Sequence, residues 1–126
     1  VSRLSRTLSL LIAIPLLLIG FAGCASSDAE PEVAVPDDAI VLDVRTPEEY
    51  TEGHLEGAQL LDLNSGDLQA AIPELDPDAE YYVYCRSGNR SGQATALLEQ
   101  VGFTHVIDLG AMEDAASATG IEIVTD

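Results

Sequence analysis

A chain of 126 residues has room for one domain. Five arginines and no lysine stand against 22 Asp+Glu, a net charge of −17, which excludes a nucleic-acid binder because phosphate neutralisation needs cations. An apolar share of 47% excludes disorder throughout; two cysteines and two histidines away from ligand spacing exclude a disulfide scaffold and a structural zinc site.

The first 24 residues read as a targeting segment. Arg3 and Arg6 form a short basic region. Leu8 to Ala22 is apolar apart from Ser9 and holds Pro15; its 15 residues fall short of the roughly 20 a membrane-spanning helix needs. Small residues Ala22 and Gly23 and then Cys24 complete a secretory signal. The run Phe21-Ala22-Gly23-Cys24 resembles a bacterial lipobox, with Phe21 where Leu is usual. That resemblance implies secretion across the bacterial cytoplasmic membrane, lipidation of Cys24 and anchoring to a membrane, at the cell surface or in the periplasm. A plain signal peptide with an incidental cysteine is the alternative. Residues 1–23 are therefore expected to be signal, 24–36 a flexible acidic linker, and 37–126 the folded domain. Cleavage before Cys24 would leave Arg45, Arg86 and Arg90 against 22 acids, a net charge of −19. Most of those acids suit a solvated face.

The domain reads as alternating strands and helices. Ile40 to Val44 is a short apolar run, as in a strand buried on both faces. Thr46-Pro47-Glu48-Glu49 starts a helix: Thr46 caps, Pro47 fits the first helical position, and Glu49 completes a capping box. Gly53 ends it. Ala58–Leu63 is a second strand. Leu68, Ala71, Ile72 and Leu75 predict a helix over 67–75. Tyr81 to Tyr84 is a strand rich in β-formers, its tyrosines serving packing. Ala94, Leu97, Leu98 and Val101 form one apolar stripe, predicting a helix over 93–101 that Gly102 stops. Val106-Ile107 and the stretch 121–124 are further strands, with a helix between. His105 reads as a strand-edge residue. The alternation predicts an α/β fold with a mostly parallel central sheet and helices on both faces.

The chemistry concentrates after the strand Tyr81–Tyr84, in Cys85-Arg86-Ser87-Gly88-Asn89-Arg90-Ser91. Ligands of open α/β sheets sit at the carboxyl ends of strands. A loop from such an end to a helix start aims several backbone N–H groups at one point, and the helix dipole adds to that attraction for anions. Gly88 and Gly92 let the backbone curl. Cys85 at the mouth of this nest, beside Arg86 and Arg90, would have its nucleophilic thiolate favoured.

This loop resembles the active-site loop of single-domain rhodaneses, a sulfurtransferase family. Leu42-Asp43-Val44-Arg45, Glu48-Glu49-Tyr50, Gly53-His54-Leu55 and Gly57-Ala58 resemble that family's N-terminal signature. The two motifs lie in the family's order, and the likeness covers residues 37 to about 124. Paired glycines followed by Trp are common in the family near the C-terminus; here Ala111 follows Gly110 and the chain has no Trp. The resemblance implies a rhodanese-like domain in which Cys85 takes sulfur from a small anionic donor such as thiosulfate. A thiol or cyanide acceptor then removes it from the persulfide. Arg86, Ser87, Gly88, Asn89 and Arg90 are the substrate-binding candidates, through backbone N–H groups and guanidinium forks. Asp43, Arg45, Glu49 and His54 carry the structural motif. Arg45 is expected in an architectural ion pair with Glu49 as the nearest candidate, and His54 as a hydrogen-bonded structural residue in a turn. No cofactor and no metal is implied. The alternatives are a cysteine-dependent phosphatase or arsenate reductase, whose related loops are longer than the four residues between Cys85 and Arg90, and a non-catalytic cell-surface sulfur-binding module.

Overall fold

The computed structural model describes residues 31–125; the signal segment 1–23 and Cys24 lie outside the described residues. Four parallel strands form the central sheet: β1 (Ile40–Asp43), β3 (Gln59–Leu60), β4 (Tyr81–Cys85) and β5 (Val106–Ala111), in the order β3-β1-β4-β5. Two-residue strands β2 (His54–Leu55) and β6 (Ile123–Val124) pair antiparallel beside it. The helices are α1 (Pro47–Glu52), α2 (Asp67–Ala71), α3 (Asn89–Gln100) and α4 (Met112–Thr119).

The period-two alternation of the strands splits the interior into two cores. Leu42, Val44, Tyr81, Val83 and Cys85 point to one face and pack with Leu68 of α2 and Ala94 and Leu98 of α3. Val41, Tyr82 and Tyr84 point to the other and pack with Leu55, Ala58 and Ala115 of α4. Helices thus cover both faces, and every residue of β4 is buried at the centre. Cys85 faces the α3 side, whereas Asp43, paired in register with Tyr84, faces the opposite one.

Several boundaries differ from the sequence expectation. The strand expected over 58–63 pairs only at Gln59–Leu60, although Leu61 N–H and Leu63 N–H still donate to Asp43 O and Val44 O at 2.8 and 3.2 Å. The helix expected over 67–75 stops at Ala71 and continues as a 3-10 turn over Ile72–Glu74, because Pro73 brings no N–H to an α-helical ladder. The stretch 121–124 keeps only Ile123–Val124 as strand, and His54 lies in its partner strand rather than in a turn. Residues 33–35, expected in the flexible linker, lie against the domain instead. Val33 N–H donates to Ala118 O at 2.9 Å, Tyr82 OH to Ala34 O at 3.2 Å, and Val33 and Val35 pack on the second core. Their apolar side chains, spaced two apart, make that docking favourable where the acidic composition around them suggested none.

Candidate active site

Cys85 is the last residue of β4 and is fully buried. The chain turns back over it through Gly88, whose φ of +94° is a left-handed conformation that favours glycine. That turn brings Gly88 N–H onto Cys85 Sγ at 3.0 Å. It also starts α3 at Asn89, four residues earlier than the apolar stripe suggests. Asn89, Arg90 and Ser91 therefore belong to the first helical turn, and the positive end of the α3 dipole lies beside the thiol.

Ser91 is the partner the sequence motif left without a role. It is fully buried, its Oγ lies 3.6 Å from Cys85 Sγ, and its hydroxyl donates to Gly88 O at 3.1 Å. While Cys85 is a thiol, S–H donates to Ser91 Oγ and the hydroxyl proton serves Gly88 O. A thiolate instead draws that proton toward sulfur, a single torsional move. Burial is the largest influence on Cys85 and pushes its pKa up. Hydrogen bonds from the Ser91 hydroxyl and from the N–H groups of Ser91, Gly88 and Ser87 together outweigh it, so the thiol lies below its ordinary value.

The end of β5 backs the loop. The register between β4 and β5 slips after Val83: Asp108 faces Val83 but Gly110 faces Tyr84, leaving Leu109 as an extra residue. This bulge, with Gly110 at φ +77°, sets Gly110 and Ala111 against Gly88, where an added Cβ would lie 3.6 Å from Gly110 Cα.

The structural motif pairs its charges differently from expectation. Arg45 does not pair with Glu49; its Nε and Nη2 bond both oxygens of Asp43 at 2.6 to 3.1 Å, and Nη2 also donates to Gly53 O. The reason is the strand period, which sets Asp43 and Arg45 on one side of the chain two residues apart. Burial lowers the Arg45 pKa, and the Asp43 hydrogen bond and charge more than restore it. Tyr84 OH donates to Asp43 Oδ2 at 2.7 Å and accepts from Leu55 N–H at 3.0 Å, tying β4 to β2. Burial and the hydrogen bond to Asp43 push the Tyr84 phenol well up, against the Leu55 N–H. His54 is buried, stacks on Tyr50 with ring centres 3.8 Å apart, and has Nδ1 3.0 Å from Tyr50 O.

Glu49 instead receives Arg90. Both nitrogens of the Arg90 fork bond its carboxylate at 2.7 and 2.9 Å. The Thr46 capping box is intact on the same carboxylate, with Thr46 N–H donating at 3.0 Å. The Arg90 hydrogen bond, opposed by burial and aided by Thr46, holds Glu49 down at about 2. Arg90 is thus tied across 41 residues to α1, and much of its charge is already answered. Arg86 stays exposed on the wall of a cleft of about 250 Å³ that Glu49, Glu52, Met112, Glu113 and Ile123 also line. Cys85 is absent from that wall because it sits beneath the loop. Ser87 and Asn89 are exposed, and Asn89 Oδ1 accepts from Gln93 Nε2.

Comparison with known proteins agrees with this geometry. A protein from Escherichia coli K12 named thiosulfate sulfurtransferase PspE is 37% identical over 75 residues, 60% of this chain and 72% of that protein. A sulfurtransferase from Allochromatium vinosum is 32% identical over 99 residues, 79% of this chain and 91% of its own length. A solved structure described as a rhodanese with anions from E. coli superposes with a TM-score of 0.59 at 32% identity, covering 70% of this chain and 99% of that one. The family model for the rhodanese-like domain matches residues 29–115, and the chain belongs to that family, with sulfurtransferases among its relatives.

Proposed function

We propose that the protein moves a sulfane sulfur from thiosulfate to a thiol or cyanide through a persulfide on Cys85. The observation that carries this reading is a buried thiol at the end of β4 that accepts Gly88 N–H at 3.0 Å and has the Ser91 hydroxyl 3.6 Å away, a setting that favours its ionised form. The Cys85 thiolate attacks the outer sulfur of thiosulfate. A new S–S bond forms, the donor's S–S bond breaks, and its electron pair leaves on sulfite. An acceptor then attacks the outer sulfur and returns the electron pair to Cys85, so cyanide leaves as thiocyanate.

Negative charge on the outer sulfur is met by backbone N–H groups of the loop from Arg86 to Arg90. Arg86, exposed at the mouth, orients the anionic donor. Arg90 acts through Glu49 as a positioning residue that fixes the start of α3. A phosphatase needs a free guanidinium fork for a tetrahedral dianion, and here Glu49 occupies the fork of Arg90. The name of the E. coli relative supports thiosulfate as donor.

The test is direct. Wild type treated with thiosulfate should gain the mass of one sulfur, and Cys85→Ser should not; thiosulfate:cyanide transfer retained in a folded Cys85→Ser protein overturns the mechanism. The lipobox resemblance supports a second part of the proposal, that Cys24 is lipidated and anchors the domain outside the cytoplasmic membrane. Cys24→Ala should release the protein from the membrane fraction, and an unchanged distribution refutes the anchor.

A further inference from the structure

The cleft beside the loop carries charges that the sulfur donor does not require. Two of its charged residues are already committed: Arg45 to Asp43, and Glu49 to Arg90. Its other charged lining residues are Arg86, Glu52 and Glu113, all exposed. Glu52 ends α1, Glu113 lies in the first turn of α4 and Ile123 in β6, so residues from three elements line the cleft. Met112 and Ile123 complete the wall, and Ile123 is one of only two large apolar residues exposed among the described residues. Two carboxylates, one guanidinium and an apolar strip repel a dianion more than they attract it, and suit a short carbon chain bearing a positive group.

We propose that this cleft selects the sulfur acceptor, and that the acceptor is a small thiol carrying an ammonium group, held by Glu52 and Glu113. The inference rests on the sulfurtransferase reading above and names the substrate class of its second half-reaction. Its volume of about 250 Å³ lies below the usual range of drug-sized sites, which fits a thiol of a few carbons. In the persulfide the reacting sulfur lies about 2 Å beyond Sγ, and Arg86, the next residue after Cys85, lines the cleft. The acceptor thiolate attacks that outer sulfur and forms a new S–S bond. The bond to Cys85 breaks, its electron pair returns to Sγ, and the acceptor leaves as a persulfide. The ammonium keeps its proton throughout. An acceptor whose thiolate and ammonium cancel meets no long-range repulsion from an acidic protein, whereas an anionic thiol does.

The experiment loads the full-length protein with thiosulfate, removes excess donor, and follows loss of the added sulfur by mass spectrometry. Cysteamine, 2-mercaptoethanol and mercaptoacetate are compared at equal thiolate concentration and low ionic strength. Cysteamine should outpace mercaptoacetate by about tenfold, as two exposed ion contacts are each worth about twofold to fivefold. The double variant Glu52→Gln/Glu113→Gln should cut that ratio about fivefold and leave 2-mercaptoethanol within about twofold. It should also speed loading by thiosulfate, the opposite sign, which a merely damaged site would not do. Glu74→Gln/Glu99→Gln, equal in charge change but outside the cleft, should leave most of the ratio in place. A ratio unchanged in the cleft variant, or lowered equally by the distant one, overturns the acceptor assignment alone. Failure of the wild type to load with sulfur overturns the sulfurtransferase reading and this inference with it.

Discussion

Replacing Ser91 by Ala removes one hydroxyl from beneath the loop and separates the chemistry of Cys85 from its packing. The hydroxyl is 3.6 Å from Sγ and 3.1 Å from Gly88 O. A hydrogen bond to a charged group is worth about 1.5–3 kcal/mol, and the long contact to sulfur brings it below that range, to about 1 kcal/mol against the thiolate. At a fixed pH below the midpoint that is about fivefold less thiolate. The fold loses the neutral bond to Gly88 O, about 1 kcal/mol, and recovers part of it because Ala is the better helix former, so net destabilisation stays below about 1 kcal/mol. The assay is the ultraviolet absorbance of the thiolate against pH in a Cys24→Ala background, where Cys85 is the only thiol. The midpoint should move up and the rate of sulfur loading at neutral pH should fall severalfold. A folded Ser91→Ala protein with an unmoved titration would show that the backbone N–H groups alone set the thiol, and would remove Ser91 from the mechanism.

Glu49→Gln keeps the capping geometry but removes the charge pair with Arg90. The folded carboxyl, held at about 2, lies below its ordinary 4.5. The pair's contribution is therefore complete above about pH 4.5 and is lost as pH falls through about 2. With 18% and 19% of the two side chains exposed, screening leaves about 1 kcal/mol. The stability gap between wild type and variant in urea should be about that size at pH 7 and close to nothing at pH 2; a gap independent of pH contradicts the pairing. Gly88→Ala should cost about 1–2 kcal/mol, because its φ of +94° is left-handed while the space for Cβ is ordinary, and it should depress sulfur loading by disturbing the N–H on Sγ. Normal loading in that variant would show the turn to be dispensable. The kcat/KM for thiosulfate should rise between about 0.02 and 0.5 M ionic strength with a weakly binding anion, as the repulsive field shortens with the Debye length; a steady fall would show that local attraction by Arg86 dominates.

Where information is local, the sequence alone determined the outcome. The Thr46-Pro47-Glu48-Glu49 start of α1 and its end at Gly53 follow from caps and dihedral limits that involve only neighbouring residues. The apolar run Tyr81–Tyr84 gave β4, and a cysteine between its end and a glycine-containing turn marked the nest. The start of α3 is not marked locally, because Asn89, Arg90 and Ser91 carry no apolar stripe and the helix opens on the left-handed Gly88.

Tertiary structure decided the partners. Strand period gave Arg45 to Asp43, and the fold brought Glu49 of α1 within reach of Arg90 of α3, 41 residues away. Charge counting along the chain cannot choose between such pairings, since several carboxylates compete for each arginine. The β2–β6 pair joins residues 54 and 124, and a two-residue strand has too little pattern to announce a partner. Val33 and Val35 form no stripe of their own and gain a place only when α4 and β4 offer a surface. The role of Ser91 belongs to the same class. Its position six residues after Cys85 becomes a hydrogen bond only once Gly88 turns the chain back and α3 lifts the hydroxyl to sulfur.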